Sequence, residues 1–354
     1  MIQHETSCLG AATYHGATEL VRFLLESGAQ VNSTDGSRIT ALTYAVVNDS
    51  LDTVELLISY GADLDAVSYC ITKLHYYIEI LRPQLLHLMT EFVRGESCWG
   101  GETPLQTLIL NYQTNLEIAK LLLDNGADVN AVNNHGWTAL HFAAQEEKYA
   151  VANFLLQNGA SRWARTSSGE TPLLIAVKSR LCQLSNELLT AEADVAARFH
   201  PDELRSALQY AMGSFCWETA ILLLKAGADF DAKDDLNKTP LHHASKYGGS
   251  EVVKLLLRLG ADVDARTPKL ATPLHLAALN GKLAVAKLLL NAGANVNSRT
   301  ESNKTPLHYA ARIDEIGVAK LLIEEGADVE ATDAYGHTPL EFAMGLGEGI
   351  WDTG

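Results

Sequence analysis

An all-α solenoid of stacked helix pairs is predicted by three features of the 354-residue sequence. A short motif returns every 33 residues, apolar residues recur on a helical period after it, and a glycine follows it at an offset of 21. TPLH begins at Thr239, Thr272 and Thr305, and TPLE at Thr338. Gly260, Gly293 and Gly326 close the first three of these copies. Upstream the same phase is held by Thr138, Thr171 and Ser206, and earlier by Thr40, Thr72 and Thr103. A worn first copy begins near Thr6, where Ala11-Ala12 and Gly28-Ala29 stand in register. Eleven copies then read as one array over residues 1–354, with no room for a separate catalytic domain.

Each element of a copy follows from its residues. Thr272 is an N-cap and Pro273 suits the first helical position. Ala277 and Ala278 keep the first helix slim, and Gly281 ends it. Val285, Leu288, Leu289 and Leu290 then mark a second helix, and Gly293 supplies its left-handed stop. The next eleven or twelve residues, rich in Asn, Asp, Ser and Gly, form an extended turn. One such helix pair cannot bury its own apolar stripe, so copies must stack.

TPLHLAALNG followed by GANVN, over residues 272–297, resembles the ankyrin repeat, and phased copies of the pattern cover about residues 6–345. The resemblance implies a curved stack with projecting hairpin fingers and a concave groove lined by fingers and first helices. It also implies a non-catalytic protein-interaction scaffold. His75, His141, His242, His275 and His308 stand at the fourth motif position, where members of this family tie adjacent fingers together through the imidazole.

Several copies depart from the pattern. The copy at 72–102 keeps Thr72, Leu74 and His75 but loses the Gly-Ala-Asp signature, and Pro83 is expected to part its helices. Extra loop is expected at Asn111–Asn115, and Arg198–Leu204 is expected to lengthen the finger of the seventh copy. Insertions tolerated at the surface are the favoured reading of these departures, and partner contacts are the other. The end copies are incomplete, with Ile350 and Trp351 as a makeshift cap, which leads us to expect a longer multidomain parent chain.

The charge of −16 disfavours nucleic acid and anionic membrane as partners of the overall field. No apolar run is long enough for membrane insertion, and no signal peptide is visible. Five cysteines without a CxxC pair suit a reducing compartment, so a cytoplasmic or nuclear site is expected. HExxH, paired CxxC, GxSxG and GxxxxGK[ST] are absent, so no cofactor, metal or catalytic residue is assigned.

Binding residues are sought at positions −6, −4, −3, −1, +7 and +8 from the motif Thr. In the eighth to tenth copies these hold Lys233, Lys238, Lys246, Arg266, Lys269, Arg299, Lys304 and Arg312, opposed only by Asp235 and Glu301. A basic groove face of net +6 is thereby expected to steer an acidic protein partner. The fourth to sixth copies are near neutral at these positions but bring Trp99, His135 and Trp137, candidate aromatic contacts. Trp137 can equally pack on its neighbouring finger. The competing reading is an enzyme or small-molecule site in the central groove, near Glu102, His135, Trp137 and Glu146.

Overall fold

The computed structural model describes residues 7–35, 38–68, 101–111, 114–190, 201–313 and 316–345. Among these residues there are nineteen helices, and no strand beyond two isolated bridges. The first five helix pairs are α1 (Cys8–Tyr14) with α2 (Thr18–Glu26), α3 (Ala41–Val47) with α4 (Leu51–Ser59), α5 (Pro104–Leu110) with α6 (Leu116–Asp124), α7 (Ala139–Gln145) with α8 (Tyr149–Gln157), and α9 (Pro172–Lys178) with α10 (Cys182–Thr190). Then follow α11 (Pro201–Gly213) with α12 (Trp217–Lys225), α13 (Pro240–Tyr247) with α14 (Ser250–Leu259), α15 (Pro273–Leu279) with α16 (Leu283–Asn291), α17 (Pro306–Arg312) with α18 (Ile316–Glu324), and the single helix α19 (Pro339–Ala343). Among the described residues no helix is long and apolar enough to cross a membrane.

The chain forms two compact units, residues 1–184 and 185–354, and the division falls inside α10. Within the first unit α1, α3, α5, α7 and α9 pack in succession, and so do α2, α4 and α6. Within the second, α11, α13, α15, α17 and α19 form one row and α12, α14, α16 and α18 the other.

The motif explains the layer. Thr272 is extended (φ −100°, ψ 166°) and caps α15, with Pro273 at the first helical turn. Pro273 through Ala278 are all buried in the stack. On α16 Val285, Ala286 and Leu289 are buried, whereas Leu288 and Leu290 are half-buried. Full burial of a leucine such as Leu289 contributes about 1.5–3 kcal/mol. The closing glycines, from Gly28 to Gly326, all take φ between 79° and 98°, a region that a side chain disfavours.

Two expectations need adjusting, and most of the copy at 72–102, up to residue 100, lies outside the described residues. Helix α3 packs directly on α5 and α4 on α6, and the Asp65 carboxylate accepts the Asp128 N–H at 3.1 Å. The Ser68 N–H donates to the Glu102 carbonyl at 3.0 Å, as the Thr267 N–H does to Ala271 in an ordinary finger.

In the seventh copy Ser206 is not a cap. Helix α11 begins at Pro201 and runs for 13 residues, so the second half of Arg198–Leu204 is helix rather than finger. Proline is compatible with a first helical turn, and no Thr-Pro pair sets a later start. In the first copy the cap is Ser7, whose hydroxyl accepts the Gly10 N–H at 3.0 Å, one residue after Thr6. Thr6, His75, Pro83, Trp99, Ile350 and Trp351 lie outside the described residues, as do residues 112 and 113 of the expected loop.

Candidate protein-binding face

Successive fingers are clasped by the fourth motif residue. The Thr239 N–H donates to His242 Nδ1 at 3.1 Å, which fixes the proton on Nε2. That Nε2–H points to the Ala271 carbonyl of the next copy at 3.3 Å. His141 reaches the Glu170 carbonyl, His275 that of Lys304 and His308 that of His337 in the same way. Gln106 performs both jobs without an imidazole: its Oε1 accepts the Thr103 N–H and its Nε2 donates to the Trp137 carbonyl. Burial pulls the pKa of His141 and His242 down to about 4 and lowers that of His308. A second link runs along the fingers, where the Ser167 N–H donates to His135, Glu301 to Lys269 and Ala334 to Ser302.

This clasp decides which of the expected contact residues reach solvent. Each histidine bonds to the carbonyl of the residue before the next motif Thr, and that residue is thereby drawn between fingers. Lys304 is fully buried at 0% exposure, its ammonium 5.5 Å from the centre of the Phe342 ring. Lys238 is buried as well, and its pKa is lowered by burial and by Lys246, against the pull of Asp234. Trp137 is 6% exposed and packs on Phe142 at 5.2 Å, so it is an internal finger contact and not an exposed anchor. These three are withdrawn from the partner-facing set.

The remaining basic residues stand differently. Lys233, Arg266, Arg299 and Arg312 are exposed, and Lys246 and Lys269 are half-buried. Asp235 and Glu301, the acidic residues at the same positions, are also exposed. Arg299 donates from Nη1 to the Thr332 carbonyl at 2.9 Å, so its guanidinium is held near the following finger. The face of the second unit is still dominated by positive charge, now at positions −6, −3 and +7.

The central cluster divides. Glu102 is buried and its pKa is pushed up to about 7 by desolvation, opposed by its own N–H and by Asn133. Its Oε1 has no hydrogen-bond partner. His135 is exposed, Glu146 is half-buried and Trp137 is turned inward. Among the described residues no three His, Cys, Asp or Glu side chains converge as a metal would require. Cys8 is an exposed free thiol.

Sequence reasoning passed over Phe215, Trp217 and Tyr247, which come together in the second unit. The readable signal was an aromatic residue at motif offset +9, where other copies carry Gly16, Asp49, Glu147, Arg180 and Gly281.

A family profile described as ankyrin repeats (3 copies) matches residues 2–68, 74–166, 113–199, 208–300 and 274–349. The ankyrin repeat protein FPV222 of fowlpox virus (strain NVSL) is 33% identical over 132 residues, 36% of this chain and 17% of that protein. FPV014 of the same virus is 30% identical over 144 residues, 40% of this chain and 32% of that protein. The palmitoyltransferase ZDHHC13 of Homo sapiens is 26% identical over 147 residues, 40% of this chain and 18% of the enzyme. The chain thus spans less than a third of the length of each of these relatives.

Proposed function

Because the chain belongs to the ankyrin-repeat family, we propose that it is a non-catalytic scaffold binding an acidic protein partner through the finger and first-helix face of its eighth to tenth copies. The observation that carries this reading is the set Lys233, Lys246, Arg266, Lys269, Arg299 and Arg312, exposed or half-buried, against Asp235 and Glu301 at equivalent positions. On a chain of net charge −16, one basic face selects the orientation in which an acidic partner arrives. Affinity would rest on a few anchors, with the charges acting mainly on the association rate.

The test is a triple reversal, Arg266→Glu, Lys269→Glu and Arg299→Glu, which leaves the buried Lys238 and Lys304 untouched. Partners recovered with the tagged wild-type chain should associate with the variant at least tenfold more slowly, and with a flattened salt dependence. Equal recovery and equal rates at low salt would refute the basic-face reading.

A small-molecule or enzymatic site at Glu102, His135 and Glu146 is the second reading, favoured by the raised Glu102 pKa alone. The burial of Trp137 and the exposure of His135 weigh against a shared pocket. A cytoplasmic or nuclear site belongs to the main reading. Intact-mass analysis of thiol-blocked protein from cells tests it, since a Cys182 or Cys216 disulfide there would point to an oxidising compartment.

A further inference from the structure

Among the described residues, the turn between the two helices of a layer passes through a left-handed residue nine positions after the motif start. Gly16, Asp49, Glu147, Arg180 and Gly281 occupy it at φ between 56° and 67°. In the seventh copy this residue is Phe215, at φ 62°. A bulky side chain is the poorest choice for that backbone region. Burial does not compensate for it, because Phe215 is 52% exposed. An exposed aromatic ring in an unfavourable backbone conformation is a liability unless something outside the chain uses it.

The surroundings indicate what that is. The Phe215 ring meets Tyr247 edge-on, with centroids 4.8 Å apart at 87°, and meets Trp217 at 6.0 Å and 68°. The Trp217 indole lies against Gly249, where a Cβ would come within 2.9 Å of Cε3. His243 stacks with Tyr247 at 6.4 Å, and its Nε2 is 2.8 Å from the Asp234 carboxylate. The Lys246 ammonium sits 4.9 Å from the centre of the Tyr247 ring. The aliphatic chain of Lys282 runs past Gly248, 3.2 Å from where a Cβ would stand. The acidic groups of the same layers are engaged elsewhere, Glu218 with Asn186 and Glu251 with Lys254.

We propose that Phe215, Tyr247 and Trp217 form the anchor platform for an acidic peptide segment of the partner. One aromatic or aliphatic side chain of that segment packs on Phe215 and Tyr247, and its flanking carboxylates face Lys246 and Lys282. The proposal rests on the basic-face reading above and adds the chemistry of the recognised segment. Single-stranded nucleic acid also combines stacking with charge. The edge-to-face packing of Phe215 on Tyr247 and the overall charge of −16 favour the peptide.

The test uses the full chain and a phage-displayed library of random twelve-residue peptides. Selection is run in parallel on wild type, Phe215→Gly and the double variant Lys246→Glu/Lys282→Glu. Glycine fits φ 62°, so Phe215→Gly should melt no lower than wild type; Phe215→Asn, which also tolerates this region, serves if it does. Peptides enriched on wild type should pair an aromatic residue or leucine with two or more carboxylates. They should bind the Phe215 variant and the double lysine variant at least tenfold more weakly. Equal enrichment on wild type and Phe215→Gly, or no enrichment, would overturn the platform. Peptides that need Arg266 and Arg299 but ignore Phe215 would remove the anchor while leaving the basic face standing. Fluorescein-labelled dT12 binding as tightly as the selected peptides would overturn the choice of partner.

Discussion

Replacing His242 by glutamine should make the stack less sensitive to acid without dismantling the finger clasp. His242 is fully buried, accepts at Nδ1 and donates from Nε2, so only the neutral ring fits. Its pKa is held at about 4, chiefly by burial, against an ordinary 6.5 in the unfolded chain. Between these values the unfolded state binds a proton that the folded state refuses. The stabilisation is therefore complete above about pH 6.5 and is lost as the pH falls toward 4. At about 1.36 kcal/mol for each tenfold change in proton activity, the full loss is roughly 3 kcal/mol, and about 2 kcal/mol has gone by pH 5.

Gln106 shows that an amide can make the same two bonds, so His242→Gln should keep the cap and the link to Ala271. Glu102 titrates in the opposite sense. Its raised pKa of about 7 stabilises the fold below about pH 4.5, and that contribution fades as the pH rises through 7. It is common to both chains and cancels in the comparison. Urea unfolding followed by circular dichroism at pH 8 and pH 5 gives the measurement. The loss on acidification should be about 2 kcal/mol smaller in His242→Gln than in wild type. An equal loss in both chains would refute the assignment of a neutral, acid-refusing clasp.

Two other outcomes follow from the corrected fold. Lys304→Glu puts a carboxylate in a fully buried site beside the Phe342 ring and should cost about 3–5 kcal/mol in urea unfolding. Lys304→Met should stay within about 1.5 kcal/mol, and the half-buried Lys269→Glu within about 0.5 kcal/mol; equal effects of Lys304→Glu and Lys269→Glu would contradict the burial argument. Replacing residues 69–100 by the two-residue tip Pro-Lys should leave the stack folded, with unfolding free energy within about 1 kcal/mol of wild type, because α3 already packs on α5 and Ser68 already bonds Glu102, and loop length changes closure entropy little. A loss above about 3 kcal/mol would mean that the segment supplies a layer after all.

The repeat was legible because its chemistry is local. A Thr that caps, a Pro that starts and a Gly that stops each act within one turn of helix, so their spacing reveals the layers. Local chemistry is also where that reading stops: TKLH at Thr72 matches three of the four motif residues, yet α3 packs directly on α5. Ser206 kept the phase but not the cap, since Pro201 lets α11 begin more than a turn earlier. Side-chain exposure was the least legible property. Lys238, Lys269 and Lys304 look alike in the sequence, yet Lys238 and Lys304 are buried before the motif Thr while Lys269, three residues before it, stays half-buried.

That last distinction bears on how such a face selects its partner. Where the clasp forms, the residue before the motif Thr is gripped through its main chain, so the clasp itself does not dictate its side chain. Glu102, Trp137, Glu170, Lys238, Ala271, Lys304 and His337 all stand there, buried or half-buried. Diversity at this position therefore reflects packing between fingers, and a charge placed there is desolvated whether or not a partner is present. At −6 the Lys233 carbonyl is gripped by Gln209 Nε2 at 3.3 Å, whereas the side chains of Arg266 and Arg299 at −6 and of Lys246 and Arg312 at +7 stay exposed or half-buried. The turn residue at +9 is outside the clasp, and in Phe215 it departs from the small or polar residues of the other layers. Charge and aromatic surface at these positions can change without loosening the stack. Partner selectivity is expected to be written there, and variants at Arg266, Lys246 and Phe215 should alter binding while leaving the urea midpoint in place.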